Sequence, residues 1–370
     1  SNRESNLRHG KAMNHLELFS GIGGFRRALD LLTQDGFMDF ESIGYSEIDR
    51  RALDTYRAIY NIAPNEIALG DIVQFTADEQ NIANLPDFQM LTAGFPCQPF
   101  SMMGDQQGFG EDRGQMFFRI KDILNVKRPP FVLLENVKNL YTHDKGRTYR
   151  RIYRELTALG YHVVTNIFNT ADFHLPQKRN RVLIFASQER LPAHYQDRFT
   201  PEQVSEHFNQ ILEQTSVLRY DRAVDLLAEH VDQNYFLSER IKPTILSNGT
   251  ANFRSRSDIN QVTARPLTAS MHKMHRACQD NYYSQDYIES RGAVNPVEHM
   301  TKEQLAQIPI RKLTPQEAFA LQGFPQEFAT IAHDAGVPDG ALYKQAGNAV
   351  SVNTIYAVVQ YLIDTHVLHE

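Results

Sequence analysis

The chain has 370 residues, with 44 Asp/Glu against 38 Lys/Arg for a net charge of −6, 42% hydrophobic residues, two cysteines and no tryptophan. Ordinary apolar and charged content excludes wholesale disorder, and the length favours one large domain with a smaller one. No apolar run approaches the ~18 residues of a membrane-spanning helix, and two cysteines cannot staple a chain of this size, so a reducing, cytoplasmic setting is expected.

The first half alternates strand-like and helix-like segments, the pattern of a mostly parallel sheet covered by helices. Residues 15–19 read as a strand running into Ser20-Gly-Ile-Gly-Gly24, after which Phe25, Leu29 and Leu32 recur at helical spacing. A second strand is expected over 41–47 and a helix over 49–60. The short apolar runs at 88–93, 131–135, 161–168 and 181–186 read as further strands. Between Gly146 and Gly160, Tyr149, Ile152, Tyr153, Leu156 and Leu159 line one helical face. Beyond Ser187 the texture turns polar and irregular until about residue 310, and a patterned helix returns from Asn353 to about Ile363. The expected fold is α/β: a large domain from 1–187 plus 343–370, a smaller irregular one over 188–310, and a connecting hinge over 311–342.

Strand, Gly21-x-Gly23-Gly24, helix is a context in which glycines let the backbone approach a ligand at the carboxyl end of the first strand. The spacing departs from G-x-G-x-x-G, which weakens the reading as a pyrophosphate cradle. Glu47, at the end of the second strand, is placed to accept both hydroxyls of a ribose. Asp71, in Gly70-Asp-Ile72, stands at a third strand end within reach of an adenine amino group. Ribose and adenine without a demand for phosphate point to an adenosine-type ligand such as S-adenosylmethionine, although a tight turn with no ligand fits the same glycines.

Gly94-Phe-Pro-Cys-Gln-Pro-Phe-Ser101 places a cysteine directly after a strand end, between two prolines of fixed φ. Gly104, Gly108, Gly110 and Gly114 punctuate the next stretch, the composition of a closing lid. A lone cysteine is more often a small buried hydrophobe, but the prolines and the glycine-rich loop make Cys97 a candidate nucleophile.

Phe95-Pro-Cys-Gln-Pro-Phe-Ser101 resembles the catalytic motif of the DNA (cytosine-5)-methyltransferases, and further blocks follow in that family's order. Leu18-Phe-Ser-Gly-Ile-Gly-Gly-Phe25 resembles its cofactor loop, and Glu47 and Asp71-Ile72 match its next two cofactor contacts. Asp112–Phe118, Glu135-Asn-Val137, Gln177-Lys-Arg-Asn-Arg181 and Gln345-Ala-Gly-Asn-Ala-Val350 match four more blocks. The likeness covers residues 16–187 and 311–361. It implies a Rossmann-like S-adenosylmethionine-dependent methyltransferase fold, with 188–310 as the target-recognition domain. It further implies a cofactor site of Phe19, Gly21, Ile22, Gly23, Gly24, Glu47, Ile48, Asp71, Ile72, Pro96, Asn348 and Val350. Ile48 departs from the pattern, standing where the family often has an aromatic beside the adenine. S-adenosylhomocysteine is then the product, duplex DNA the partner, a monomer the expected state, and no metal is required. A restriction endonuclease cutting the same site is a further expected partner.

Carbon 5 of cytosine is a poor nucleophile until a thiolate adds at carbon 6, so Cys97 has a chemical task there. Glu135, directly after the apolar Phe131–Leu134, can supply a proton to the ring nitrogen if burial keeps its carboxyl protonated. Arg179 and Arg181 flank Asn180 and share one face of a strand, from which one can bind the cytosine carbonyl oxygen and both can orient Glu135 or a phosphate. A base inside a duplex must be flipped out to reach a thiolate, with Ser101 in the segment that closes over it.

The negative total charge hides a partition. Residues 138–190 hold ten Lys/Arg against four Asp/Glu, and residues 240–276 seven against one, each a balance of +6. Such segments can line a DNA cleft, and Arg254 and Arg256 are candidate guanine readers. His272, His275 and Cys278 lack an obvious fourth ligand, so no zinc site is expected. A tRNA cytosine-5 methyltransferase, a catalytically silent DNA-binding relative and a nucleotide-binding oxidoreductase remain as alternatives, the last drawing only on the glycine turn.

Overall fold

A computed structural model describes residues 12–96, 116–250, 253–273 and 275–370. Cys97 and Ser101 lie outside these residues. Its centre is a seven-stranded sheet built from β1 (Met13–Leu18), β2 (Phe40–Ser46), β3 (Ile67–Gly70), β4 (Met90–Gly94), β5 (Phe131–Val137), β6 (His162–Asn169) and β7 (Asn180–Ser187), in the order β3-β2-β1-β4-β5-β7-β6. The pairs from β3 to β5 are parallel, and β7 alone runs against both its neighbours. Strand order reverses between β1 and β4, which opens a crevice at the carboxyl ends of these strands.

Alternation along each strand divides the core into two layers. Met90, Phe131, Leu133, Leu183 and Phe185 belong to the larger apolar cluster, together with Phe25, Leu29 and Leu32 of the helix Gly24–Gln34. Leu91, Ala93, Val132, Leu134 and Ile184 belong to the other cluster, under the helices Met116–Lys127 and Arg147–Ala158. Each such side chain larger than alanine contributes roughly 1.5–3 kcal/mol of burial free energy. The closing helix, Val352–Asp364, is buried from Val352 through Leu362, as its apolar composition on every face requires.

The smaller core begins later than the change of sequence texture at 188. Tyr195, Phe199, Val204 and Phe208 pack into the larger cluster, and Pro201–Ile211 is a regular helix capped by Thr200, whose hydroxyl accepts the Gln203 amide. Thr200-Pro201-Glu202 was a readable start signal for that helix. The separate small core gathers Ile245, Leu246, Ile259, Ala277, Tyr282, Leu305, Ala306 and Ile310. Residues 311–342, expected as a hinge, fold mainly as helices, and Phe319 and Phe324 sit inside the larger cluster. Their apolar faces complete the main body, so this stretch is core as well as connection. No helix among the described residues is long and apolar enough to cross a membrane.

Candidate active site

Parallel strands end on one edge of the sheet, so residues far apart in sequence converge there. A cavity of about 620 Å³ opens at that edge.

Its first wall is the turn after β1. Phe19 and Gly21 both have φ of 53° and Gly23 has φ of 80°, a left-handed path that is costly for phenylalanine. Hydrogen bonds hold this path: the Phe19 amide donates to Ser46 Oγ at 3.1 Å, and the Gly21 amide donates to Glu47 Oε1 at 2.8 Å. Glu47 Oε2 accepts the amides of Ile48 and Asp49, both at 2.9 Å, which fixes its carboxylate between two turns. Behind the turn, the Tyr60 hydroxyl donates to the Ile22 carbonyl at 2.8 Å, and a Cβ on Gly24 would lie 2.3 Å from the Val350 carbonyl oxygen.

The expected cofactor residues therefore divide into two sets. Phe19, Gly21, Glu47, Ile48, Asp71, Ile72, Pro96 and Asn348 line the cavity. Ile22, Gly23, Gly24 and Val350 are not among its lining residues: Ile22 is buried in the larger core, Gly23 packs on Tyr60, and Gly24 packs on Val350. Those four stand behind the lining residues and shape the wall that they form. Asp71 caps the following helix by accepting the Val73 amide at 2.9 Å. Ile48 is 72% exposed, an apolar side chain left facing the opening.

The opposite wall comes from β5 and β7. Register sets Glu135 between Gly94 of β4 and Leu183 of β7. Burial raises the Glu135 carboxyl above its ordinary range, and the positive charges of Arg181 and Arg179 oppose the rise without reversing it. The neighbouring Asn136 donates its amide to the Phe95 carbonyl at 2.9 Å, which anchors the backbone leading into Pro96, and Pro96 lines the cavity immediately before Cys97. Asn136 was quoted in a sequence block without a role. Its task became visible only through the β4–β5 pairing.

The two arginines both line the cavity, but they are held differently. Arg179 is buried; its Nη1 donates to the Leu267 carbonyl at 2.9 Å, and its Nη2 to the carbonyls of Gly347 and Ala349 at 2.9 and 3.1 Å. Burial, with Arg181 adding to it, pushes its guanidinium down to about 9, so it stays charged at neutral pH. Arg181 is only partly buried, and its Nη1 donates to the Asn180 carbonyl at 2.8 Å. Three backbone carbonyls already occupy the fork of Arg179, which leaves that of Arg181 the freer of the two.

Gln177 strengthens the same junction. Its side chain accepts the Leu267 amide at 3.0 Å and donates to the Leu321 carbonyl and Gln322 Oε1, each at 3.0 Å. A Cβ on Gly347 would lie 2.2 Å from the Thr268 carbonyl. Four distant stretches thus meet at this wall, and no local pattern announces the contact between 268 and 347.

Of the candidate base readers, Arg256 is largely exposed and pairs through Nε with Asp258 at 2.6 Å, away from the cavity-lining residues. Arg254 belongs to the short strand Phe253–Arg254, and its side chain lies outside the described part. His275 hydrogen-bonds the Ser270 carbonyl and the Gln279 side chain, and no metal-binding group occurs among the described residues.

The family model for C-5 cytosine-specific DNA methylases matches residues 13–364. The Type II methyltransferase M1.ScrFI of Lactococcus lactis subsp. cremoris is 34% identical over 355 residues, covering 94% of this chain and 77% of that protein. The Type II methyltransferase M.NlaX of Neisseria lactamica is 32% identical over 347 residues, covering 94% and 95%. Among solved structures, the S. pombe Dnmt2 methyltransferase superposes with a TM-score of 0.68 at 18% identity, over 96% of this chain and 99% of that one. The Entamoeba histolytica methyltransferase EhMeth gives 0.69 at 19%, over 97% and 100%. These two share the fold. Matched over nearly its whole length, the chain belongs to the C-5 cytosine-specific DNA methylases and is a DNA (cytosine-5)-methyltransferase.

Proposed function

We propose that the enzyme transfers a methyl group from S-adenosylmethionine to carbon 5 of a cytosine flipped out of a specific duplex sequence, through a transient bond between Cys97 and carbon 6. The observation that carries this reading is a single cavity joining Glu47, Ile48 and Asp71 at one end to Glu135, Arg181 and Pro96 at the other. The first three fit an adenosine: a fixed carboxylate for ribose hydroxyls, an exposed apolar surface for a purine, and a carboxylate for its amino group. When bound there, S-adenosylmethionine supplies an electrophilic methyl group on a sulfonium.

The protein's own groups do the rest. The Cys97 thiolate adds to carbon 6, and Glu135 gives its proton to the ring nitrogen, which leaves an enamine whose carbon 5 can attack the methyl group. Burial suits Glu135 to this step, because it keeps the proton available at higher pH. Arg181, with the freer fork, binds the cytosine carbonyl oxygen. Arg179 acts through position, holding the wall that carries Gly347 and Ala349. After methyl transfer a base, for which a water suffices, takes the carbon 5 proton, the electron pair of that C–H bond restores the double bond as the thiolate leaves carbon 6, and the ring nitrogen returns its proton to Glu135. Ser101, Arg254 and Arg256 are proposed as DNA contacts, and the Type II names of the relatives support a companion endonuclease.

Bisulfite sequencing of DNA from cells expressing the chain tests activity and target together, with methylation expected at one short recurring sequence. A duplex carrying a mechanism-based cytosine analogue at that site should form a covalent adduct with the wild type and none with Cys97→Ala. Adduct formation by that variant, or methyl transfer to tRNA but not to duplex DNA, would sink the reading.

A further inference from the structure

The helix Arg147–Ala158 buries Thr148, Ile152 and Leu156 against the sheet. Arg147, Arg150, Arg151 and Arg154 follow the spacing i, i+3, i+4, i+7 and form a stripe on the side facing away from that core. Arg151 packs over the Phe118 ring at 4.9 Å. The other three are exposed. Arg150 donates to the Lys145 carbonyl at 2.8 Å, and the carboxylate paired with Arg147 is Asp144, at 3.8 Å. The acid next along the helix, Glu155, is already paired with Lys121 at 2.6 Å.

Like charges at i, i+4 cost a helix roughly 0.2–0.5 kcal/mol per pair. The repulsion between Arg150 and Arg154 therefore opposes folding, and among the described residues Arg150 has a backbone carbonyl as its acceptor. Exposed Tyr141 and Tyr153 flank it, with Tyr149 between them at ring distances of 4.7 and 6.3 Å. Its place matters too: Val137 lines the cavity, and the basic stretch begins at the next residue, Lys138. From 138 to 154 there are six Lys/Arg against the single acid Asp144. A surface of this charge, starting at the mouth of a DNA-modifying site, is complementary to a phosphate backbone.

We propose that Arg147, Arg150 and Arg154 form an auxiliary track that holds duplex DNA outside the recognition sequence. This rests on the reading of the enzyme as one that acts on duplex DNA. Seven helical residues span roughly 10 Å, and phosphates along one strand rise about 3.4 Å each, so the stripe matches about three phosphates. The contacts add affinity and salt dependence without reading sequence.

The test compares wild type with a triple variant, Arg147→Gln, Arg150→Gln and Arg154→Gln. Binding is measured across a salt series on a short duplex barely longer than the recognition sequence and on one of about 40 base pairs. On the long duplex the variant should show a salt slope shallower by about 2–3 units; on the short duplex the two proteins should coincide. Turnover at saturating long duplex should be unchanged, and thermal melting should not fall, since repulsion has been removed. An unchanged slope on the long duplex overturns the track, as does an equal loss on both lengths. If the wild type methylates neither duplex, the reading beneath the proposal fails instead, and the track falls with it.

Discussion

The cavity wall and the small core around residues 245–310 are held together by different means. On the wall, Glu135 sits in the middle of a sheet, with hydrogen-bonded neighbours on both sides. Backbone ladders set its position, and single side chains such as Asn136 and Glu47 then fix the adjoining turns. The small core has few buried hydrophobics and relies on polar side chains bonding to nearby backbone and to each other. Asn281 exchanges two bonds with the Arg265 backbone, Asn260 bonds Ser284 and Asn295, and Ser257 donates to the Ser247 carbonyl. A ladder tolerates little displacement, which suits bond-making chemistry. A mesh of local polar contacts can be redrawn residue by residue, which is what the proposed target-recognition role of this region would need.

The largest expected effect lies on the wall and would break this contrast if absent. Glu135→Gln preserves shape and removes the titratable proton, so turnover should fall about 10²–10⁴-fold. The sign with pH follows from burial. Because the folded protein raises this carboxyl, its acid form persists above the ordinary range and is lost as pH climbs through the raised value. Wild-type turnover should therefore decline along that alkaline limb, and the variant should lack it. The same shift makes the folded state bind the proton more tightly than the unfolded state, so its stabilising contribution is full at low pH and disappears over that rise. Melting temperatures recorded beside the pH–rate profile should show the variant's curve flatter. Identical limbs in both proteins would remove Glu135 from the proton transfer.

The two arginines sharpen the contrast within the wall itself. Arg179→Lys replaces a fork serving three carbonyls with a single ammonium, leaving buried acceptors unpaired at about 1–3 kcal/mol each. Chemical denaturation should show a loss of about 2–5 kcal/mol. Arg181→Lys, at a partly buried position with one backbone bond, should cost under about 1 kcal/mol yet cut turnover about tenfold or more. The reverse pattern would exchange their roles.

Two glycines carry the next effect, and both concern how the regions are fastened. Alanine at Gly24 would drive a methyl group against the Val350 carbonyl, and alanine at Gly347 would do so against Thr268. Each overpacking should cost about 1–3 kcal/mol. Gly24→Ala disturbs only the cofactor side and should raise the KM for S-adenosylmethionine. Gly347→Ala pushes on the segment leading into the small core and should raise the KM for DNA as well. Steady-state kinetics with each substrate varied in turn separates the two.

The order of legibility follows the same physics. That Glu47 and Glu135 share one cavity was legible because each stands at or near the end of a short apolar run, and parallel strands bring such ends to one edge. The helix 201–211 was readable in principle from its cap and proline. The roles of Arg179 and Gln177 were not, since Leu267 and Gly347 reach them from remote segments with no periodic mark. Gly23, Gly24 and Val350 carry the family pattern, and the structure packs Gly23 on Tyr60 and Gly24 on Val350. A motif records that a residue is constrained, and packing shows by what.

The smallest effect belongs to the proposed recognition side. Arg256 is largely exposed and its guanidinium pairs with Asp258 among the described residues, so Arg256→Ala should change stability by no more than about 0.5 kcal/mol. Its expected signature is selective: methylation of the cognate site relative to a site altered at one G·C pair should fall about tenfold, the range of one lost guanine contact. A phosphate contact would instead weaken every duplex alike and shallow the salt slope by about one unit. Asp258 makes the first outcome the expected one, because a paired guanidinium is held in one direction, and direction is needed for a base edge more than for a backbone charge. Asp258→Asn offers the matching check. Freed from its carboxylate, Arg256 should keep its charge and the salt slope while losing part of the discrimination, an effect that no change on the ladder-held wall could mimic.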